Sequence, residues 1–223
     1  MSFFETLARD TAEEQGRLFA TPQILAGLAG RISRDTYVAY LTQAYHHVSH
    51  TVPLMRLALG RLDPAHAHFA RALEGYIAEE AGHEQWILDD IAHCGGDRDA
   101  AMASAPSAAT TAMLACAYEA VGHGNPMALF GMIFVLEGTS IALASQGAAS
   151  LAEGLGLGPE CFSYLASHGA LDQDHMTFFR GLMADVGDPE DQAAIVQMAR
   201  RMFGLFGDMF RSIPHDRSIA HAV

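Results

Sequence analysis

The chain has 223 residues, half of them hydrophobic and 17% charged, enough apolar side chain to close a substantial core and too much for wholesale disorder. Its formal charge of -13 offers no basic stripe to neutralise phosphates and works against an anionic lipid surface, so neither nucleic acid nor membrane is expected as a partner. Three widely spaced cysteines, Cys94, Cys116 and Cys161, exclude a disulfide scaffold or a cysteine zinc cluster, and with an early acidic N-terminus unlike a signal peptide they point to the cytoplasm.

Residues 2–19 read as one amphipathic helix. "TPQILAGLAG" (21–30) gives a short second one, with Thr21 and Pro22 opening it and Gly30 closing it. Ser33 opens a long helix to about Arg61, with a kink expected at Pro53. Asp63-Pro64 starts another, running to about Cys94 and ended by Gly95-Gly96. After a small polar stretch, helices are expected near 107–122, 126–154, 159–186 and 188–211, separated by turns at "HGNP", "GLGLGPE" and "VGDPED". No convincing alternating strand, long linker or internal repeat interrupts this pattern. The expectation is an all-α fold, one domain over residues 1–223, of roughly seven or eight helices. The stretch 126–146 is long enough to be mistaken for a membrane span, but a glutamate in its middle and the lack of Lys or Arg flanks make it a central buried helix.

That glutamate, Glu137, is the only charged group between Met127 and Leu151. A helix apolar around most of its circumference is buried, and a buried carboxylate must find an arginine, a hydrogen-bonding network or a metal ion. "SHGALDQDH" supplies candidate partners. His168, Asp172 and His175 are spaced i, i+4, i+7, on one helix face, with Tyr164, Leu165, Leu171 and Phe179 beside them. Asp174 falls about a third of a turn away, toward solvent. In "YIAEEAGHEQWILDDI" (76–91), Glu80 and His83 form a carboxylate-x-x-His pair, with Glu79 as an i, i+4 alternative. Glu84, Asp89 and Asp90 read there as a solvated face. Each cluster has a plain structural alternative, a hydrogen-bonded core histidine or a surface charge run. Together they match the way di-iron carboxylate bundles hold metal, with carboxylate-x-x-His pairs on two helices and a further carboxylate from a third. Three carboxylates and three imidazoles suit iron or manganese better than structural zinc. In "YHHVSHT" (45–51), His46 and His50 fall on the side away from the Leu41–Val48–Met55 stripe, and His47, at its edge, is a candidate for the substrate pocket or for support of the metal ligands.

The order ExxH, a Glu in an apolar helix, then H-x3-D-x2-H resembles the haem-oxygenase-like di-iron oxidases, the group that contains the chlamydial protein associating with death domains. The resemblance spans about residues 35–211 and is most specific in "SHGALDQDH", preceded by "FVLEG". It implies a haem-oxygenase-like bundle and a non-haem, O2-activating iron enzyme acting on a small organic substrate, with two iron ions per chain, or manganese, and a homodimer as a plausible assembly. By position His83, Glu137, His168, Asp172 and His175 match the family's ligands. Many members carry the first carboxylate seven residues before the histidine, where this chain has Tyr76, so the resemblance implies Glu80, or Glu79, in its place. The same superfold hosts TenA and PqqC proteins. The alternative function is therefore a metal-independent enzyme or small-molecule-binding protein using the same polar pocket.

Overall fold

The computed structural model describes residues 2–214, without the side chains of residues 169–174. Asp172, Asp174 and Leu171, together with His215 and His221, which read as surface residues, therefore lie outside the described side chains. The elements are α1 (Phe3–Asp10), α2 (Ala12–Phe19), α3 (Pro22–Leu28), α4 (Arg34–Val48), α5 (Thr51–Leu59), α6 (Ala67–Glu80), α7 (His83–His93), α8 (Arg98–Ala103), α9 (Ala108–Gly122), α10 (Ala128–Leu155), α11 (Ser163–Ala184) and α12 (Pro189–Ser212). Single 3-10 turns at Pro64–His66 and Pro159–Cys161 precede α6 and α11, and no strand occurs among the described residues.

The all-α expectation holds, but the helices outnumber the seven or eight expected because three of the long ones are divided. The first breaks at Thr11, whose buried hydroxyl donates back to the Leu7 carbonyl at 2.8 Å. The second breaks at Ser49–His50 rather than bending at Pro53. Proline lacks the N–H that would bond the Ser49 carbonyl, and its ring crowds that carbonyl, so the ladder fails four residues upstream. The third breaks at Ala81–Gly82, inside the candidate site. The polar stretch after Cys94 contains the short α8, opened by Asp97, whose carboxylate accepts from the Ala100 N–H at 2.9 Å.

Helix α10 is the axis of the fold, packed against α3, α9, α11 and α12. It is buried at every position from Met127 to Val135. Gly131 lets it meet α12 at backbone distance, since a Cβ there would lie 2.3 Å from the Ile195 carbonyl oxygen. By length and composition this helix could cross a membrane, but 61% of its most apolar window is buried inside the protein. Two apolar clusters form the core. The larger gathers Phe130, Phe134, Phe179 and Phe203, and the smaller Tyr37, Leu41, Ile87 and Leu165. The candidate site and its cavity draw on residues of both.

Candidate metal centre

Glu80 is the last residue of α6 and His83 the first of α7. Between them Ala81 is extended and Gly82 sits at φ 95°, in the left-handed region where a side chain is strained. The ExxH pair is thus built across a helix break, not along the single helix expected over 63–94. The sharp turn still brings His83 Nδ1 within 3.1 Å of Glu80 Oε2. Glu137 comes from the middle of α10, and His168 and His175 lie about two turns apart on α11.

These five side chains converge as two groups that share one member. Glu80, His83 and His168 place a donor atom each within 4.8 Å of one another, and so do Glu80, Glu137 and His175. Glu80, His83 and Glu137 are all buried. The outer hydrogen bonds of two rings fix which nitrogen faces inward. His168 Nδ1 lies 3.0 Å from the Tyr164 carbonyl, which can only accept, so that nitrogen carries the proton and Nε2 offers a lone pair. His175 Nε2 meets the Glu79 carboxylate at 2.8 Å, leaving Nδ1 opposite Glu137 Oε1 at 3.6 Å. Carboxylates behind ligating histidines are the usual way to orient such rings toward a metal. Glu79 thus reaches the site from outside, through His175. Burial alone would raise the Glu80 carboxyl. The hydrogen bond from His83 and the neighbouring imidazoles of His83, His168 and His175 outweigh it and hold the group below its ordinary value. A buried, ionised carboxylate flanked by inward-facing nitrogens fits a divalent metal of the iron or manganese type.

A cavity of about 190 Å³ lies against the centre, with Glu80, Glu137 and His168 on its wall. His47 lines it as well, 4% exposed and packed edge-on to Phe206. Burial, together with the imidazoles of His168, His46 and His50, lowers His47 to about 3, so its ring is neutral at physiological pH. Tyr76, seven residues before His83, is buried with its ring 5.5 Å from that of His175. His46 and His50 are held elsewhere, by Ser104 and Tyr118, each at 2.9 Å.

Asp90 is a correction. Instead of facing solvent it is fully buried and caps α11, accepting from the Ser163 and Tyr164 N–H groups at 3.0 and 2.9 Å. It thereby ties α7, which carries His83, to the helix that carries His168 and His175. Thr139 and Ser140 were also missed. Ser140 sits one turn beyond Glu137 on the same face of α10, a placement its sequence spacing already contained.

The helical arrangement is that of the haem-oxygenase-like fold. One solved relative is a domain of unknown function with a haem-oxygenase-like fold from Shewanella denitrificans, with TM-score 0.86 and 22% identity over 96% of this chain and 92% of that one. A TenA homologue from Pseudomonas syringae aligns with TM-score 0.78 and 12% identity over 94% and 91% of the two chains. A haem oxygenase from the cyanobacterium Synechocystis, solved with haem, gives 0.76 and 14% over 100% and 96%. No curated protein matches the sequence. Residues 38–207 match the iron-containing redox enzymes, and the chain belongs to that family.

Proposed function

We propose that this protein is a non-haem, O2-activating di-iron oxidase or oxygenase acting on a small organic substrate. The observation that carries the proposal is the sharing of Glu80 between the two donor groups, so that this carboxylate would serve both ions. His83 and His168 would hold one ion and Glu137 and His175 the other. Asp172, implied by the family resemblance, would complete the set. Iron, when bound, would supply the electrons that reduce dioxygen. The chain's own groups do the rest. His168 and His175 keep their protons on the outward nitrogens, toward Tyr164 and Glu79, and turn lone pairs inward. The apolar cavity wall excludes water and orients the substrate.

A second reading, a metal-independent enzyme or binding protein using the same cavity, is favoured by the likeness to the Pseudomonas syringae TenA homologue. The two separate on exposing anaerobically Fe(II)-loaded protein to oxygen and following its optical spectrum. The di-iron reading expects an oxygen-dependent change in the wild type that is lost in His168→Ala and Glu137→Ala, with helicity retained. An unchanged response in both variants would overturn the site assignment. A wild type that takes up no iron would favour the second reading.

A further inference from the structure

We propose that the cavity beside Glu80 and Glu137 is shaped for an uncharged, largely apolar molecule carrying a hydrogen-bonding group, and that its wall discriminates against carboxylates and ammonium ions. This rests on the di-iron reading in taking this cavity as the substrate's and, for ammonium ions, in assigning Glu80 and Glu137 to metal. The wall follows α10 from Leu129 to Leu151, positions 22 residues apart that span roughly 33 Å of helix at about 1.5 Å per residue. Glu137 lies part-way along, and Met132, Leu136 and Leu143 are among the apolar side chains on either side of it. That geometry suits an elongated apolar body.

The cavity's polar groups include four atoms. His47 Nδ1, Thr139 Oγ1, Ser140 Oγ and Gln23 Oε1 are buried, line this cavity, and have no hydrogen-bond partner among the described residues. His47 and Thr139 are only 4% and 5% exposed. The Gln23 amide is anchored through its Nε2, 3.2 Å from the Arg211 carbonyl, so Oε1 is the end left over. Buried polar groups are costly to leave unmatched, and hydroxyl, imidazole and amide groups are matched by a neutral hydroxyl, carbonyl or amide. Charge argues the same way. No Lys or Arg lines the cavity among the described residues, so the wall offers a carboxylate no counter-ion. An ammonium group would have to sit against Glu80 and Glu137, the carboxylates assigned to metal.

Trp86, the single tryptophan, reports on the site, since its ring stacks on His83 at 4.1 Å and meets His168 edge-on at 5.8 Å. The test is a fluorescence titration with 1-octanol, octanoate and octylammonium, on iron-loaded and on chelator-treated protein. The expected result is saturable octanol binding, at least about tenfold tighter than octanoate in both forms and than octylammonium in the iron-loaded form. Octanoate binding as tightly as octanol in either form, octylammonium binding as tightly in the iron-loaded form, or no saturable octanol binding, would overturn the proposal. The octanoate comparison on chelator-treated protein needs no iron, so a chain that binds no iron but still prefers octanol to octanoate contradicts the di-iron reading alone. Thr139→Val combined with Ser140→Ala should weaken octanol about tenfold and leave the ions unchanged. An unchanged octanol affinity there would remove the hydrogen-bonding part of the proposal. Should that variant not fold, His47→Phe makes the same test from α4.

Discussion

At the start of α6, His66 lies between Asp63 and Asp191, its Nδ1 2.7 Å from one carboxylate and its Nε2 2.8 Å from the other. The remaining Asp191 oxygen accepts from Asn125 at 2.8 Å. Both ring nitrogens and both Asp191 oxygens are thus matched, and the network stitches together the segments before α6 and α10 and the first turn of α12. The interior centre is assembled from the same residue types with a different outcome. His168 and His175 spend one nitrogen on an outer anchor and turn the other inward, and with His83 and Glu137 they gather around Glu80. Histidine paired with carboxylate is therefore not in itself a sign of function. The sign is the convergence of donor atoms from α6, α7, α10 and α11 on one shared carboxylate, Glu80.

The largest effect should come from exchanging the damage between the two clusters. Glu80→Ala should weaken iron binding by at least about 100-fold, more than the loss of an outer support. Asp191→Ala should leave iron loading intact and lower stability by about 2 kcal/mol. Iron titration and urea unfolding of both variants check this, and iron loss in the Asp191 variant would erase the contrast.

A smaller effect separates the two clusters by pH. The folded pKa of His47 is depressed to about 3, so between pH 6.5 and 3 the unfolded chain binds a proton that the folded chain refuses. Stability should therefore fall on acidification, by up to about 1.4 kcal/mol per pH unit for this group. His46 and His50 are lowered too and add to the slope. In chelator-treated His47→Phe the unfolding free energy should lose about one proton's worth of that slope. An unaltered slope would place the acid sensitivity elsewhere.

His66 should behave with the opposite sign and the least magnitude. The hydrogen bond to Asp191, aided by Asp63 and opposed by burial, raises its pKa. Its contribution is full below about pH 6.5 and is lost as the pH rises through the raised value. His66→Ala should cost about 1 kcal/mol at pH 6, as expected of a partly exposed pair, and less at pH 9. A cost that grows with pH would contradict the pairing.

Much of the fold could be read from local pattern. Ser33, the "HGNP" turn and Gly95-Gly96 mark helix ends by their own backbone chemistry, and Glu137 stood out because one charge on an apolar helix needs a partner. The break at Ala81–Gly82 was hidden, since an internal glycine costs a helix only about 1 kcal/mol and the apolar pattern runs on through it. Asp90 was misread because its burial depends on α11 arriving from 73 residues away to present two N–H groups. Of Gln23, His47, Thr139 and Ser140 in the cavity wall, only His47 was named from sequence, for the same reason. These groups come from three helices that only packing brings together.

The most direct measurement of the central claim is the iron content of the chain after anaerobic loading with Fe(II) and removal of excess metal. The shared Glu80 predicts about two iron ions per chain in the wild type and near none in Glu80→Ala. A wild type that retains no iron, or a Glu80→Ala chain that retains the full amount, would contradict it.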